Sequence, residues 1–197
     1  MAQVDIKSDK EIIILEATLA LISERGFHNT PMSLIAKRSG VSAGIIYHYF
    51  DNKDALINEL YKDIKRRKTE AMTQGDIEQL EWQDAIEQLW LNSYHFYVSH
   101  PNETRFLEQY ENSPYFKTWD EAQFAASAGD AMMILMARIQ QLMHDGIIRQ
   151  MPLIVLNELT FGVALNIAKR QISGIVNLDE ATLATIAHAC RRAIESE

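Results

Sequence analysis

An all-α chain is predicted from three observations. Apolar residues recur every three or four positions, and no stretch sustains a two-residue alternation, which is helical rather than strand periodicity. Pro101, Pro114 and Pro152 and the glycines Gly26, Gly40, Gly75, Gly146 and Gly174 fall between the periodic stretches, where helices stop. The composition, 47% apolar and 23% charged over 197 residues, suits a globular chain of one large or two small domains.

The elements follow in order. Ile12, Leu15, Leu19 and Ile22 form the apolar stripe of a first helix that stops near Gly26. Thr30 is expected to cap a short second helix, with Pro31 at its first position, where a missing N–H costs nothing. Leu34 and Ile35 face inward, Gly40 breaks the helix, and the Ser42 hydroxyl is expected to cap a third helix over about 43–50. Ile46 and Phe50, four apart, give that helix its core face together with Val41. After the turn at Asp51–Asn52, Leu56, Leu60 and Ile64 carry a fourth helix, expected to end at the basic run 65–68 as a solvated helix end. Gly75–Asp76 marks a boundary, and helices are expected near 77–99, 102–112, 117–145, 152–173 and 179–195.

Two short helices joined by a tight turn form a helix-turn-helix, whose second helix fits the DNA major groove. The net charge of −8 does not exclude that partner, because residues 1–68 hold 11 Lys+Arg against 9 Asp+Glu, while residues 69–197 hold 8 against 18. DNA affinity depends on the local surface rather than the total. With Ile46 and Phe50 inward, Ala43, Gly44, Ile45, Tyr47, His48 and Tyr49 are left to face DNA or its flanks. The hydroxyls of Tyr47 and Tyr49 suit phosphate oxygens, although both rings could instead pack at a seam between domains. Lys53, at a helix N-terminus, adds a charge beside free N–H groups. Thr30 and Ser42 at helix starts, and Ser33 one turn along from Thr30, complete the expected DNA-contact set.

The stretch from Gly26-Phe27 through Thr30, Ile35-Ala36, Gly40-Val41-Ser42, Gly44, Tyr47-His48-Tyr49-Phe50 and Lys53 to Leu56 resembles the DNA-binding domain of the TetR family of bacterial transcriptional regulators. The motif covers roughly residues 10–60. The resemblance implies a helix-turn-helix DNA-binding domain over 1–53 and a larger helical ligand-binding and dimerisation domain over 54–197, with 54–75 as the connecting helix. Family members often carry a polar or basic residue at Ala43 and threonine at Ile45. The apolar tip here cannot make the bidentate hydrogen bonds that read guanine or adenine, so thymine-methyl contact and DNA shape are expected to carry specificity.

The resemblance further implies a homodimer through the last two helices, a palindromic double-stranded DNA operator, repression as the usual mode, and release by a small molecule. The apolar stripes of those helices suit a dimer: Leu153, Leu156, Thr160, Val163 and Ile167 on one, Leu183, Ile186, Ala187, Cys190 and Ile194 on the other. Gly162, Ala164, Ala184 and Ala187 would let helices approach closely. Residues 82–136 are rich in aromatics and methionine, which serve any core and also line apolar pockets. Trp90, Tyr94, Phe106, Tyr110 and Met136 are the expected pocket wall, and Asn166 either orients a ligand or bonds a neighbouring helix. The effector is then apolar or amphipathic.

The sequence carries no phosphate loop, no nucleophile elbow and no metal-ligand set, so neither a cofactor nor an enzyme activity is expected. One cysteine, no secretory signature and no apolar run near the ~20 residues of a membrane span point to a cytoplasmic protein without a membrane partner. The alternative is a helical ligand-binding protein or enzyme whose helix-turn-helix does not bind an operator.

Overall fold

The computed structural model describes residues 8–116 and 130–196. The described residues divide into two units, one of 8–64 and 105–116, the other of 65–104 and 130–196. The first half of the helix expected over 117–145 lies outside the described residues.

In the first unit, α1 (Asp9–Arg25) starts at Ser8, whose side chain accepts a hydrogen bond from the Glu11 N–H, and ends where the Gly26 N–H reaches the Ile22 carbonyl. Ile14, Leu15, Thr18, Leu21 and Ile22 are buried, whereas Ile12 is 42% exposed. Leu19 is buried too, so three of the four expected stripe residues point inward, and α1 packs against both following helices, α2 (Met32–Ser39) and α3 (Ala43–Tyr49). Gly40 joins these two in the left-handed conformation (φ 70°, ψ 9°), which a residue with a Cβ rarely adopts. Asn52 then caps α4 (Lys53–Met72) by accepting the Ala55 N–H at 2.8 Å. Leu56, Ile57, Leu60 and Ile64 of α4 are buried.

The unit also takes the end of α6 (Pro101–Glu111) and the turn after it. Phe27 meets Phe106 edge-on at 5.6 Å and Tyr115 at 5.2 Å, and Tyr110 stacks on Tyr61 at 4.1 Å. The Tyr110 hydroxyl donates to Asn58 at 3.0 Å. The helix-turn-helix unit thus extends to Ile64 and recruits a distant segment, where the sequence placed its end at residue 53. Aromatic contacts across some eighty residues of chain leave no local signal.

In the second unit, a 3₁₀ turn (Ile77–Gln79) precedes α5 (Trp82–Ser99). Then come α7 (Asp130–His144), α8 (Leu153–Asn157), a π-helical turn (Glu158–Gly162), α9 (Val163–Ile172) and α10 (Glu180–Ile194). The core forms where α9 and α10 pack on α5. Trp90 is fully buried, stacks on Tyr94 at 5.8 Å and donates its indole N–H to the Thr160 carbonyl of the π turn at 3.1 Å. Leu183, Ala187, Cys190 and Ile194 of α10 are buried within this unit, as are Gly162 and Ala164. Arg191, 7% exposed, is accepted because Glu87 (2.7 Å) and Glu195 (2.9 Å) both pair with it and Trp82 lies beside it. Burial raises the pKa of the Cys190 thiol, which leaves it a poor nucleophile.

The basic run 65–68 is not a solvated helix end. α4 continues to Met72, and Lys65 and Lys68 are each 8% exposed. Lysine stems can lie along apolar surface, so a run of four charges need not mark a surface. Among the described residues, no helix is long and apolar enough to cross a membrane.

Candidate nucleic-acid interface and a cavity

Helix α3 is only seven residues long, and its spacing sorts it into two faces. Ile46 is fully buried and Phe50, just past its end, is 4% exposed. Ser42, Ala43, Gly44, Tyr47 and His48 are exposed, with Tyr47 at 51%, while Ile45 and Tyr49 are half-buried. The Tyr49 ring meets His48 edge-on at 5.4 Å. The exposed surface therefore begins with three small side chains and ends with aromatic and imidazole groups able to donate hydrogen bonds.

Two expected caps are taken by other groups. Ser42 occupies the position before α3 but makes no side-chain cap, and its carbonyl instead accepts the Ile45 and Ile46 N–H groups, leaving the hydroxyl exposed. Pro31, not Thr30, immediately precedes α2. Thr30 is fully buried and donates its hydroxyl to the Gly26 carbonyl at 2.9 Å, closing the α1–α2 loop from within. That hydroxyl is turned away from solvent, so it cannot act as a phosphate clamp in this conformation. Thr30→Val is therefore expected to cost about 1–3 kcal/mol of stability, from the carbonyl left unsatisfied, with DNA affinity of the folded protein unchanged. Denaturant titration alongside DNA titration checks this, and a selective loss of DNA binding would restore the phosphate role.

Lys53 braces the same loop. Its ammonium donates to the Phe27 carbonyl, and burial lowers its pKa, against a raising influence from Asp54. Its half-buried position leaves part of the side chain in reach of solvent. Ser33 is exposed on α2, and Lys37, four residues on and exposed on the same face, joins it. The i, i+4 spacing of Ser33 and Lys37 was the available signal for this additional cation.

The second unit holds a cavity of about 520 Å³, counted out to its open mouth. Lys68 and Met72 of α4, Met132, Leu135, Met136 and Ile139 of α7, Leu153, Leu156 and Asn157 of α8, and Phe161 of the π turn line it. Of the expected wall residues, only Met136 lies here. Trp90 and Tyr94 are committed to the core stack, Phe106 and Tyr110 belong to the helix-turn-helix unit, and Asn166 is exposed on α9. Aromatic content marks core and cavity alike, because both draw on the same side chains.

The model for bacterial regulatory proteins of the tetR family matches residues 14–60, and that for the tetracyclin repressor-like C-terminal domain matches residues 81–195. An uncharacterized HTH-type transcriptional regulator from Haemophilus influenzae is 31% identical over 111 residues, 56% of this chain and 59% of that protein. The HTH-type transcriptional regulator BetI from Escherichia coli is 35% identical over 86 residues, 40% of this chain and 44% of BetI. The chain thus spans about half the length of these curated relatives. Among solved structures, a TetR family transcription regulator from Marinobacter aquaeolei VT8 superposes with a TM-score of 0.84 at 19% identity, covering 95% of this chain and 96% of that one. A TetR-family transcriptional regulator from Haemophilus influenzae gives 0.80 at 24% identity, covering 98% and 100%, and both likenesses show the shared fold. With the C-terminal match alone spanning more than half its length, this chain belongs to the tetR family of bacterial regulatory proteins.

Proposed function

We propose that the protein is a cytoplasmic transcriptional regulator that binds a palindromic operator as a homodimer, in the repressing mode, and is released by a small molecule. The observation that carries this reading is the division of α3: Ile46 and Phe50 hold it in the core, and the face from Ser42 to His48 stands free in solvent. Ser33, Ser42, Tyr47, His48, Tyr49 and Lys53 supply donors for phosphate, and Ala43, Gly44 and Ile45 a small apolar tip for thymine methyls. Thr30 supports this surface from beneath.

A dimer places two such helices about 34–36 Å apart, or a multiple of that, on successive groove faces. The last helix supports pairing through the face its own core leaves free. Ala181, Ala184, Thr185 and Ala189 of α10 are exposed, and such small side chains permit close helix approach. Helix α4 supports the coupling, because one unbroken helix carries Lys53 at its start and the cavity residues Lys68 and Met72 near its end. A ligand that prefers the conformation with badly spaced recognition helices lowers operator affinity by its differential affinity for that state.

Selection from a random DNA pool gives the operator, and titration against salt tests the mode of binding. Log affinity should fall with log salt at about 0.9 per phosphate neutralised. Thymine-to-uracil exchange in the selected half-sites should weaken binding at one position or more. Salt-insensitive or absent DNA binding would remove the regulator reading, and indifference to every uracil would remove methyl readout.

A further inference from the structure

We propose that the cavity of the second unit takes an amphipathic anion, an apolar chain ending in a carboxylate, with Lys68 as its counter-ion. The inference rests on the reading of this cavity as the effector site and names the chemistry of what enters it.

The argument begins with an imbalance of charge. Lys68 lines the cavity and is 8% exposed. Its ammonium sits over the Tyr97 ring, 5.0 Å from the centroid. Among the described residues, no carboxylate lies within 4.0 Å of it. On the neighbouring Arg67 the pattern differs, for it pairs at 3.0 Å with Glu103, whose side chain is 12% exposed. Removing an ammonium from water is costly, and a π face returns only part of that cost. A buried arginine elsewhere in this unit shows the usual remedy, since Arg191 has two carboxylates. Among the described residues Lys68 has none, and its side chain forms part of the cavity wall.

The remaining wall defines the rest of the ligand. Met72, Met136, Ile139, Leu156 and Phe161 offer only apolar surface, and Asn157 adds one amide. Among the described residues, no aspartate or glutamate lines the cavity, so a cationic ligand would meet a like charge and no partner there. The unbranched methionines can shift to admit a chain. A carboxylate reaching Lys68 gains a charge-assisted hydrogen bond, roughly twice as strong as one between neutral groups.

The test uses the full chain and three ten-carbon probes, decanoate, decanol and decyltrimethylammonium, each below its aggregation concentration. Wild type should bind decanoate about tenfold or more tighter than decanol, as expected for one bond to a charged group, and the cationic probe weakest. Lys68→Met, matched in length and apolar, should erase the preference for decanoate while keeping decanol binding, and Lys68→Arg should retain it. Lys68→Gln serves if the methionine variant does not fold. Equal affinity for decanoate and decanol in wild type, undiminished decanoate binding by Lys68→Met, or no binding of any probe overturns the proposal. Operator release is measured separately. Lys68-dependent binding without release removes the effector reading and leaves this inference standing. Release by decanoate that Lys68→Met does not alter does the reverse.

Discussion

Gly44→Glu should lower operator affinity by at least about 100-fold, equivalent to roughly 2.7 kcal/mol, while the protein stays folded. Gly44 is exposed near the start of α3, its φ lies outside the positive range, and a Cβ built there meets nothing within 4 Å. The helix therefore has room for any side chain, and loses a residue that weakens helices by about 0.5–1 kcal/mol relative to alanine. On DNA the same position brings a carboxylate to the phosphates, where like charges cost several kcal/mol. Gly44→Ala separates bulk from charge: a small gain in stability should accompany a smaller loss of affinity. Fluorescence anisotropy on the selected operator, with thermal unfolding in parallel, measures both. Wild-type affinity in Gly44→Glu would exclude the tip of α3 from the interface.

The largest expected effect on stability belongs to Trp90→Ala, about 3–5 kcal/mol for a buried large-to-small change. Trp90 combines complete burial, the stack on Tyr94 and the bond to the Thr160 carbonyl. A loss of that size corresponds to a melting temperature lower by about 10 °C or more in a chain of this length. Trp90→Phe keeps most of the apolar area but leaves the carbonyl without the indole, so it should cost about 1–3 kcal/mol. Urea unfolding midpoints at constant m-value check the two. A change in the alanine variant below about 1 kcal/mol would show that the core relaxes around the gap.

The two faces of α3 were legible because helical spacing alone sorts Ile46 and Phe50 from Tyr47 and His48. Helix order was legible for a related reason, since prolines and glycines mark where backbone hydrogen bonding must stop. Roles that depend on distant partners were not. Thr30 reads as a cap from its neighbours, and only the folded loop shows its hydroxyl bonded to Gly26 inside the core. Lys68 reads as solvated within a basic run, yet it is buried beside Tyr97, twenty-nine residues away. Phe106 and Tyr110 read as pocket aromatics because composition says nothing about which unit a helix end joins. The cavity lay in the aliphatic and methionine positions of α7 and α8, whose pattern is indistinguishable from an ordinary core stripe.

The π turn at Glu158–Gly162 has a consequence for insertions and deletions. Such a turn holds about one residue more than an α-helical turn, and successive α-helical residues advance by about 100°. Deleting one residue there, and restoring regular α geometry, would swing the downstream face of α9 by about that angle. Ala164 and Ala168, now fully buried, would rotate away, and bulkier neighbours would turn toward α5. A Cβ on Gly162 would stand 2.9 Å from the Glu158 carboxylate, the mobile end of an exposed side chain, and 3.4 Å from the Asn157 carbonyl. The extra residue thus works as a phase setting for the rest of the chain. Relatives of this protein should accept length changes across 158–162 only with a compensating change before residue 163.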